Sequence, residues 1–284
     1  MIFENIPKKI IVTGGAGFIG STLVRKLLDF DNCMILNIDK LGYASDLTSI
    51  NRKLEKLKKN KNKYEFLKVD LCDALTIRNV IKDFKPDIIF NLAAETHVDR
   101  SIEGPSTFIQ NNIVGTYNLL SGSLEFWKSL NIEKRNSFRL IHVSTDEVFG
   151  TLNHKDKFNE SSSYKPNSPY SASKASSDFL VRSWNKTYNL PTIITNCSNN
   201  YGPWQYPEKL IPNTILKAYF EQRIPVYGKG NNIRDWLFVD DHVSALLVIA
   251  SKGEVGSNYC IGGECEITNI VIVKKICEIM NELK

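Results

Sequence analysis

Ile10-Ile11-Val12-Thr13-Gly14-Gly15-Ala16-Gly17-Phe18-Ile19-Gly20 decides how this chain is read. An apolar run ends in glycines at 14, 17 and 20, a variant of the dinucleotide-binding fingerprint. Glycine permits the tight turn and lets backbone N–H groups approach a pyrophosphate, and the following helix N-terminus adds a favourable field. Phe18 and Ile19 belong to the same turn. The flanks agree with it. Lys9–Thr13 predicts a buried strand, Ile19–Phe30 a helix and Met34–Asp39 a second strand. Asp39, nineteen positions beyond Gly20, suits the adenosine ribose hydroxyls. Its carboxylate would repel a 2′-phosphate, which favours NAD over NADP. The neighbouring Lys40 weakens that preference.

Outward from this turn, apolar runs alternate with amphipathic stretches. Strands are predicted at Tyr64–Asp70, Asp87–Asn91, Arg139–Ser144 and Thr192–Asn196. Helices are predicted around Leu75–Phe84, Ser106–Trp127 and Pro169–Asn189. The alternation implies an α/β fold, a Rossmann-like doubly wound parallel sheet covered on both faces. Asp70-Leu71 is placed to meet the adenine, and Leu92-Ala93-Ala94 offers small residues where a cofactor lies close to backbone. After Asn196 the texture changes. Asn199 to Pro207 reads as loop, and shorter elements follow, with helices near Glu208–Glu221, Asp241–Ser251 and Thr268–Leu283. This predicts an NAD-binding domain over 1–196 and a smaller substrate-binding lobe over 197–284.

Bulk properties narrow the function classes. The chain has 284 residues, 42% hydrophobic and 24% charged, with a net charge of +5. Much of the positive excess lies in Arg52, Lys53, Lys56, Lys58, Lys59, Lys61 and Lys63, with no aromatic platform among them. That is read as a solvated helical insertion and not as a nucleic-acid patch. Cysteines 33, 72, 197, 260, 265 and 277 show no Cys-x-x-Cys spacing and read as reduced thiols of a cytoplasmic protein. Histidines 97, 142, 154 and 242 form no ligand-spaced cluster, so no metal is expected. No apolar run approaches a membrane span, and Met1–Lys9 lacks the apolar stretch of a signal peptide.

Two further groupings carry chemistry. Tyr170 and Lys174 are four apart on a predicted helix, hence on one face. A phenol pKa of about 10 is too high for a base at neutral pH, and lowering it by three units needs about 4 kcal/mol. One cation about 4 Å away at an effective dielectric near 20 supplies roughly that much. Lys174 is the expected cation, helped by a positive nicotinamide ring. At the end of a predicted strand stand Ser144-Thr145-Asp146-Glu147. Two carboxylates forced together split their pKa values, so one can be protonated while the other is ionised. Adjacent residues on a regular strand face opposite ways, so the pair is expected past the strand end.

The chain resembles the extended short-chain dehydrogenase/reductases, and within them the dTDP-glucose 4,6-dehydratase family. The resemblance rests on Thr13–Gly20, Leu92–Ser101, Val143–Gly150, Pro169–Asp178, Thr195–Pro203, Pro207–Pro212 and Arg234-Asp235-Trp236. The Thr145-Asp146-Glu147 run discriminates, because nucleotide-sugar epimerases on this fold lack the acidic pair.

The resemblance implies conversion of a nucleotide-linked glucose to its 4-keto-6-deoxy form with tightly held NAD. Tyr170 takes the 4-hydroxyl proton, Glu147 is the base at C5, Asp146 the acid to the departing 6-hydroxyl, and Thr145 orients the 4-oxygen. Lys174 also binds the nicotinamide ribose. Thr96 would serve cofactor and substrate, and Asn200 would lie near the nicotinamide. Asn111 stands where the family commonly has threonine. Asn199, Lys209, Leu210, Pro225-Val226-Tyr227, Arg234 and Asn269 would hold the nucleotide sugar, Arg234 at the diphosphate. A homodimer through the Ser106–Trp127 and Pro169–Asn189 helices is implied. Relatives continue past the position of Lys284 through an Arg-Pro-Gly-His pattern, so the lobe is expected to be truncated here. Thymine and uracil nucleotides both remain open. A UDP-glucose 4,6-dehydratase, a 4-epimerase and a non-enzymatic binder stand as alternatives.

Overall fold

A computed structural model describes residues 8–57, 63–152, 156–226 and 228–283. Lys58, Lys59 and Lys61 of the basic segment, His154 and Tyr227 lie outside them. In chain order the elements begin β1 (Lys8–Thr13), α1 (Phe18–Leu27), β2 (Cys33–Asp39), α2 (Thr48–Lys56), β3 (Tyr64–Lys68), α3 (Ala74–Phe84) and β4 (Ile88–Asn91). Then come α4 (Val98–Glu103), α5 (Pro105–Phe108), a π-helical segment (Ile109–Val114), α6 (Gly115–Ser129), α7 (Ile132–Ser137) and β5 (Arg139–Thr145). A 3-10 turn (Asp146–Phe149), α8 (Pro169–Tyr188), β6 (Thr192–Cys197), β7 (Asn199–Tyr201) and α9 (Leu210–Tyr219) follow. The last elements are β8 (Ile233–Phe238), α10 (Val239–Lys252), β9 (Asn258–Ile261), β10 (Glu266–Thr268) and α11 (Asn269–Glu282).

Seven strands form one parallel sheet in the order β3-β2-β1-β4-β5-β6-β9. Alternate residues of β1 serve opposite layers. Ile10 and Val12 pack with Leu23 and Leu27 of α1, Ile50 of α2 and Leu246 of α10. Ile11 packs with Ile77 and Ile81 of α3, Leu119 of α6 and Val181 of α8. The chain order reverses between β1 and β4, and ligands bind such sheets at that crevice beyond the strand ends.

The region after residue 196 is not one separate block. β7, β8 and β10 make a small sheet, in which β7 and β8 are parallel and β10 is antiparallel to β8. β9 instead returns to the large sheet beside β6. Asn199–Tyr201, expected as loop, is strand β7 because it pairs with Trp236–Phe238. The long helix expected over Ser106–Trp127 contains the π segment, whose extra residue frees a carbonyl. Ser177 Oγ of α8 donates to that of Asn112 at 2.7 Å.

Candidate active site

The glycine turn is built by close approach. Gly14 has φ +69°, and a Cβ there would lie 2.6 Å from the Ala93 backbone nitrogen. A Cβ on Gly20 would lie 2.1 Å from the Gly14 carbonyl oxygen. Only glycine lets α1 start this near the strand end. Asp39 closes the turn from β2. Its Oδ2 accepts from the Ala16 N–H at 3.0 Å, and its Oδ1 accepts from the Leu41 N–H at 2.8 Å and Ser45 Oγ at 3.1 Å. Oδ1 is filled by its two donors, and a spare lone pair remains on Oδ2 for a ribose hydroxyl.

From this turn a cavity of about 320 Å³ runs along the strand ends to β5 and β6. Gly17, Phe18 and Ile19 line one end with Asp70 and Leu71; Leu92, Ala93, Ala94 and Thr96 line the middle. Thr145, Glu147, Tyr170, Lys174, Asn199, Asn200 and Lys209 close the far end. Lys40 and Asn111 also line it, but they face each other. Lys40 Nζ donates to Asn111 Oδ1 at 2.8 Å and pairs with Glu95 Oε1 at 2.8 Å. Lys40 is therefore engaged by Asn111 and Glu95 at this end of the cavity. A small-residue floor, an N–H-lined turn and a carboxylate at β2 fit NAD.

At the far end, β5 stops at Thr145 and the chain turns into the 3-10 segment Asp146–Phe149. The acidic pair thus stands past the strand, as its adjacency required. Thr145 Oγ1 accepts from the Glu147 N–H at 3.2 Å and donates to Asp146 Oδ1 at 3.3 Å. Burial and the neighbouring Glu147 push the Asp146 carboxyl up to about 6. Burial also raises Glu147, against the cations of Arg234 and Lys209. The two acids therefore sit in unequal settings.

Ser168 caps α8 and fixes its first turn. Its Oγ accepts from the Ser171 N–H, and Ser171 Oγ accepts from the Ser168 N–H, both at 3.0 Å. Tyr170 and Lys174 follow on the buried face. The expected lowering of the phenol is not seen. Burial, Glu147 and Cys197 push Tyr170 well above its ordinary value. Lys174 Nζ is drawn to the Val143 carbonyl at 2.9 Å.

Of the residues expected to hold the nucleotide sugar, only some line the cavity. Lys209 and Asn199 reach it; Leu210, Pro225 and Asn269 do not line it. Arg234 lies on β8 beyond the lining, close enough for its charge to lower both acids. Asn200 is oriented by His242, whose Nδ1 is 2.8 Å from its Oδ1. Tyr227 is outside the described residues. Sequence reasoning missed Tyr43, Glu95, Cys197, Tyr206 and Glu208 on the cavity wall. Glu95 and Glu208 adjoin residues that were singled out; Tyr43 and Tyr206 carry no motif. Among the described residues, no group of three or more His, Cys, Asp or Glu is arranged to hold a metal. No described helix is long and apolar enough to cross a membrane.

Comparison with known proteins bears on this arrangement. The family model for GDP-mannose 4,6 dehydratase matches residues 11–284. A dTDP-glucose 4,6-dehydratase of Escherichia coli is 51% identical over 284 residues, covering 97% of this chain and 77% of the relative. The crystal structure of the Bacillus anthracis dTDP-glucose 4,6-dehydratase, in complex with NAD, is 41% identical with a TM-score of 0.83, covering 96% of this chain and 81% of the other. The Streptomyces venezuelae dTDP-glucose 4,6-dehydratase, with NAD bound, is 37% identical with a TM-score of 0.86 and the same coverage. A similarity this high across both the nucleotide turn and the acidic pair leaves one assignment: the chain belongs to the dTDP-glucose 4,6-dehydratase family.

Proposed function

We infer that this protein is an NAD-dependent dTDP-glucose 4,6-dehydratase, forming dTDP-4-keto-6-deoxyglucose and water. The observation that carries the mechanism is the acidic pair beyond β5, with Asp146 at about 6 beside Thr145 and opposite the cations of Lys209 and Arg234. Bound NAD supplies a hydride store, filled from sugar C4 and emptied to C6. The side chains move the protons. Tyr170 takes the proton of the 4-hydroxyl, for which its phenol must first be ionised. Its raised pKa makes a nearby cation a requirement, and Lys174 together with a positive ring would provide it.

The new 4-ketone acidifies C5–H. Glu147 takes that proton, and Asp146 gives its own to the 6-hydroxyl, which departs as water. The proton held by Glu147 returns to C5. Tyr170 has gained one proton and Asp146 has lost one, so passing it between them restores the starting state. Each positioned acid or base contributes about 10²–10⁴ in rate. In this reading Asn199, Lys209, Leu210, Pro225 and Tyr227 would contact the nucleotide sugar, Arg234 would bind its diphosphate by a fork on phosphate oxygens, and Asn269 would sit near the base or phosphates.

Two coarser properties extend the proposal. A homodimer is supported by exposed Ile109, Tyr117, Phe179 and Tyr188 on the α5–α6 and α8 side. A reducing, cytoplasmic setting is supported by six free thiols. The deciding experiment is the double variant Asp146→Asn, Glu147→Gln assayed with dTDP-glucose by mass spectrometry. Loss of the dehydrated product with NAD still bound is expected; unchanged turnover would sink the assignment. A C4 epimer from the wild type, with no loss of water, would make it an epimerase.

A further inference from the structure

Behind Tyr170 and Lys174 lies a buried polar chain that the proton transfers above leave unused. His142, on β5, is fully buried. Its Nδ1 lies 3.0 Å from Asn91 Nδ2, and Asn91 Oδ1 accepts from Thr13 Oγ1 at 2.7 Å. With Asn91 donating, Nδ1 is an acceptor and the ring proton sits on Nε2. That nitrogen lies 3.3 Å from Oδ1 of Asp178, a close approach without a hydrogen bond. The second oxygen, Oδ2, accepts from Ser144 Oγ at 2.8 Å, Tyr164 Oη at 2.9 Å and Asn196 Nδ2 at 3.2 Å. Three donors thus converge on Oδ2 of one carboxyl group. Burial and the Lys174 charge hold His142 down to about 4, so the ring is neutral at physiological pH.

Lys174 stands one helical turn before Asp178 on α8, with its Nζ 3.4 Å from His142 Nε2. Burial works against its charge, and Asp178 and Cys197 work for it. The groups facing it are Tyr170 and Asp178 on its own helix, His142 on β5 and Cys197 on β6. Asp178 carries the one carboxyl group among them. A direct ion pair would pull the ammonium back into the core. The imidazole between them keeps the ammonium at the cavity wall, with N–H groups to spare beyond the bond to Val143.

We propose that Asp178 is a positioning residue: the fixed counter-charge, spaced by neutral His142, that keeps Lys174 cationic and turned toward Tyr170 and the nicotinamide end of the cavity. The proposal rests on the roles given to Tyr170 and Lys174 above. Its test is Asp178→Asn in the holoenzyme. The expected result is an alkaline limb of kcat moved down by about one pH unit or more. Near neutral pH, kcat falls about ten-fold while KM changes less than about three-fold. NAD affinity, titrated over the same pH range, falls along the same displaced limb. Tyr164→Phe, which removes one donor and leaves the charge, keeps the wild-type limb.

A folded Asp178→Asn protein with an unmoved limb overturns the proposal. Should that variant not fold, Asp178→Asn with Asn196→Asp returns a carboxylate to the same network and is expected to restore the limb. A folded double variant with a lowered limb overturns the proposal. So does a wild-type alkaline limb below about pH 7, since the lysine would then not be held cationic. No turnover of dTDP-glucose by the wild type at any pH is a different result and overturns the functional assignment instead.

Discussion

The hydroxyl of Tyr43 donates to Oε1 of Glu208 at 2.8 Å, joining the loop after β2 to the segment before α9. Arg100 lies over the Tyr43 ring at 3.6 Å, and Tyr206 meets that ring edge-on at 5.6 Å. Three of these four residues line the cavity, so the contact spans its adenosine half. Tyr43→Phe removes one hydrogen bond to a carboxylate, worth about 1 kcal/mol at this half-exposed site. NAD dissociation measured by stopped flow should accelerate about five-fold, with kcat nearly unchanged. An unaltered rate would show that the bridge does not restrain the cofactor.

Lys40 held by Glu95 and Asn111 has a second consequence. Glu95→Gln keeps the shape and the backbone bonds to Asn112 but releases a full cation beside Asp39. The ratio of NADP to NAD affinity, from paired calorimetric titrations, should rise by about ten-fold. A constant ratio would mean that Asp39 sets the preference alone.

Arg234 lowers both acids through its charge. Its removal in Arg234→Gln lets Asp146 and Glu147 rise further. The expected outcome is a displacement of the pH profile of kcat/KM toward higher pH, together with a larger KM. A higher KM without any displacement would confine Arg234 to holding substrate.

Stability should depend on pH in a stated direction. His142 and His242 are lowered from 6.5 to about 4 by burial. Each therefore contributes stability that is full above 6.5 and lost as pH falls through about 4, on the order of 3 kcal/mol. Asp146 works the other way. Raised from 3.8 to about 6, it favours the fold below 3.8 and loses that contribution as pH rises through about 6. Asp146→Asn should thus be more stable than wild type at neutral pH by about 2 kcal/mol while losing turnover. Urea melts at neutral and mildly acid pH would check both statements.

The large sheet and the glycine turn were legible because their signals are local. An apolar run reports a strand and three glycines report a turn, each within a few residues. The acidic pair was legible for the same reason, since adjacency alone forces it off the strand. The return of β9 to the sheet was not, because four residues such as Asn258–Ile261 reveal no partner. Nor were the Lys40–Glu95 pair and the Tyr43–Glu208 bridge, whose partners are distant in sequence. The Tyr170 shift shows a different limit. Spacing put a lysine on the right helix face, but it could not show that the Val143 carbonyl would claim the ammonium or that Glu147 and Cys197 would oppose the phenolate.

The π segment Ile109–Val114 behaves as a phase shifter. Regular α-helix advances about 100° per residue, so one added residue re-indexes everything downstream of it. Upstream, Thr107 accepts from Asn111 Nδ2, turning Asn111 toward Lys40. One position later, Asn112 grips the Glu95 backbone and Ser173. Two neighbouring asparagines are thereby dealt to different duties, one holding Lys40 at the cavity wall and one bracing the loop that carries Glu95 against the helix that carries Tyr170. Shortening this helix by a single residue would leave its length almost intact and still unmesh the two ends of the catalytic cleft.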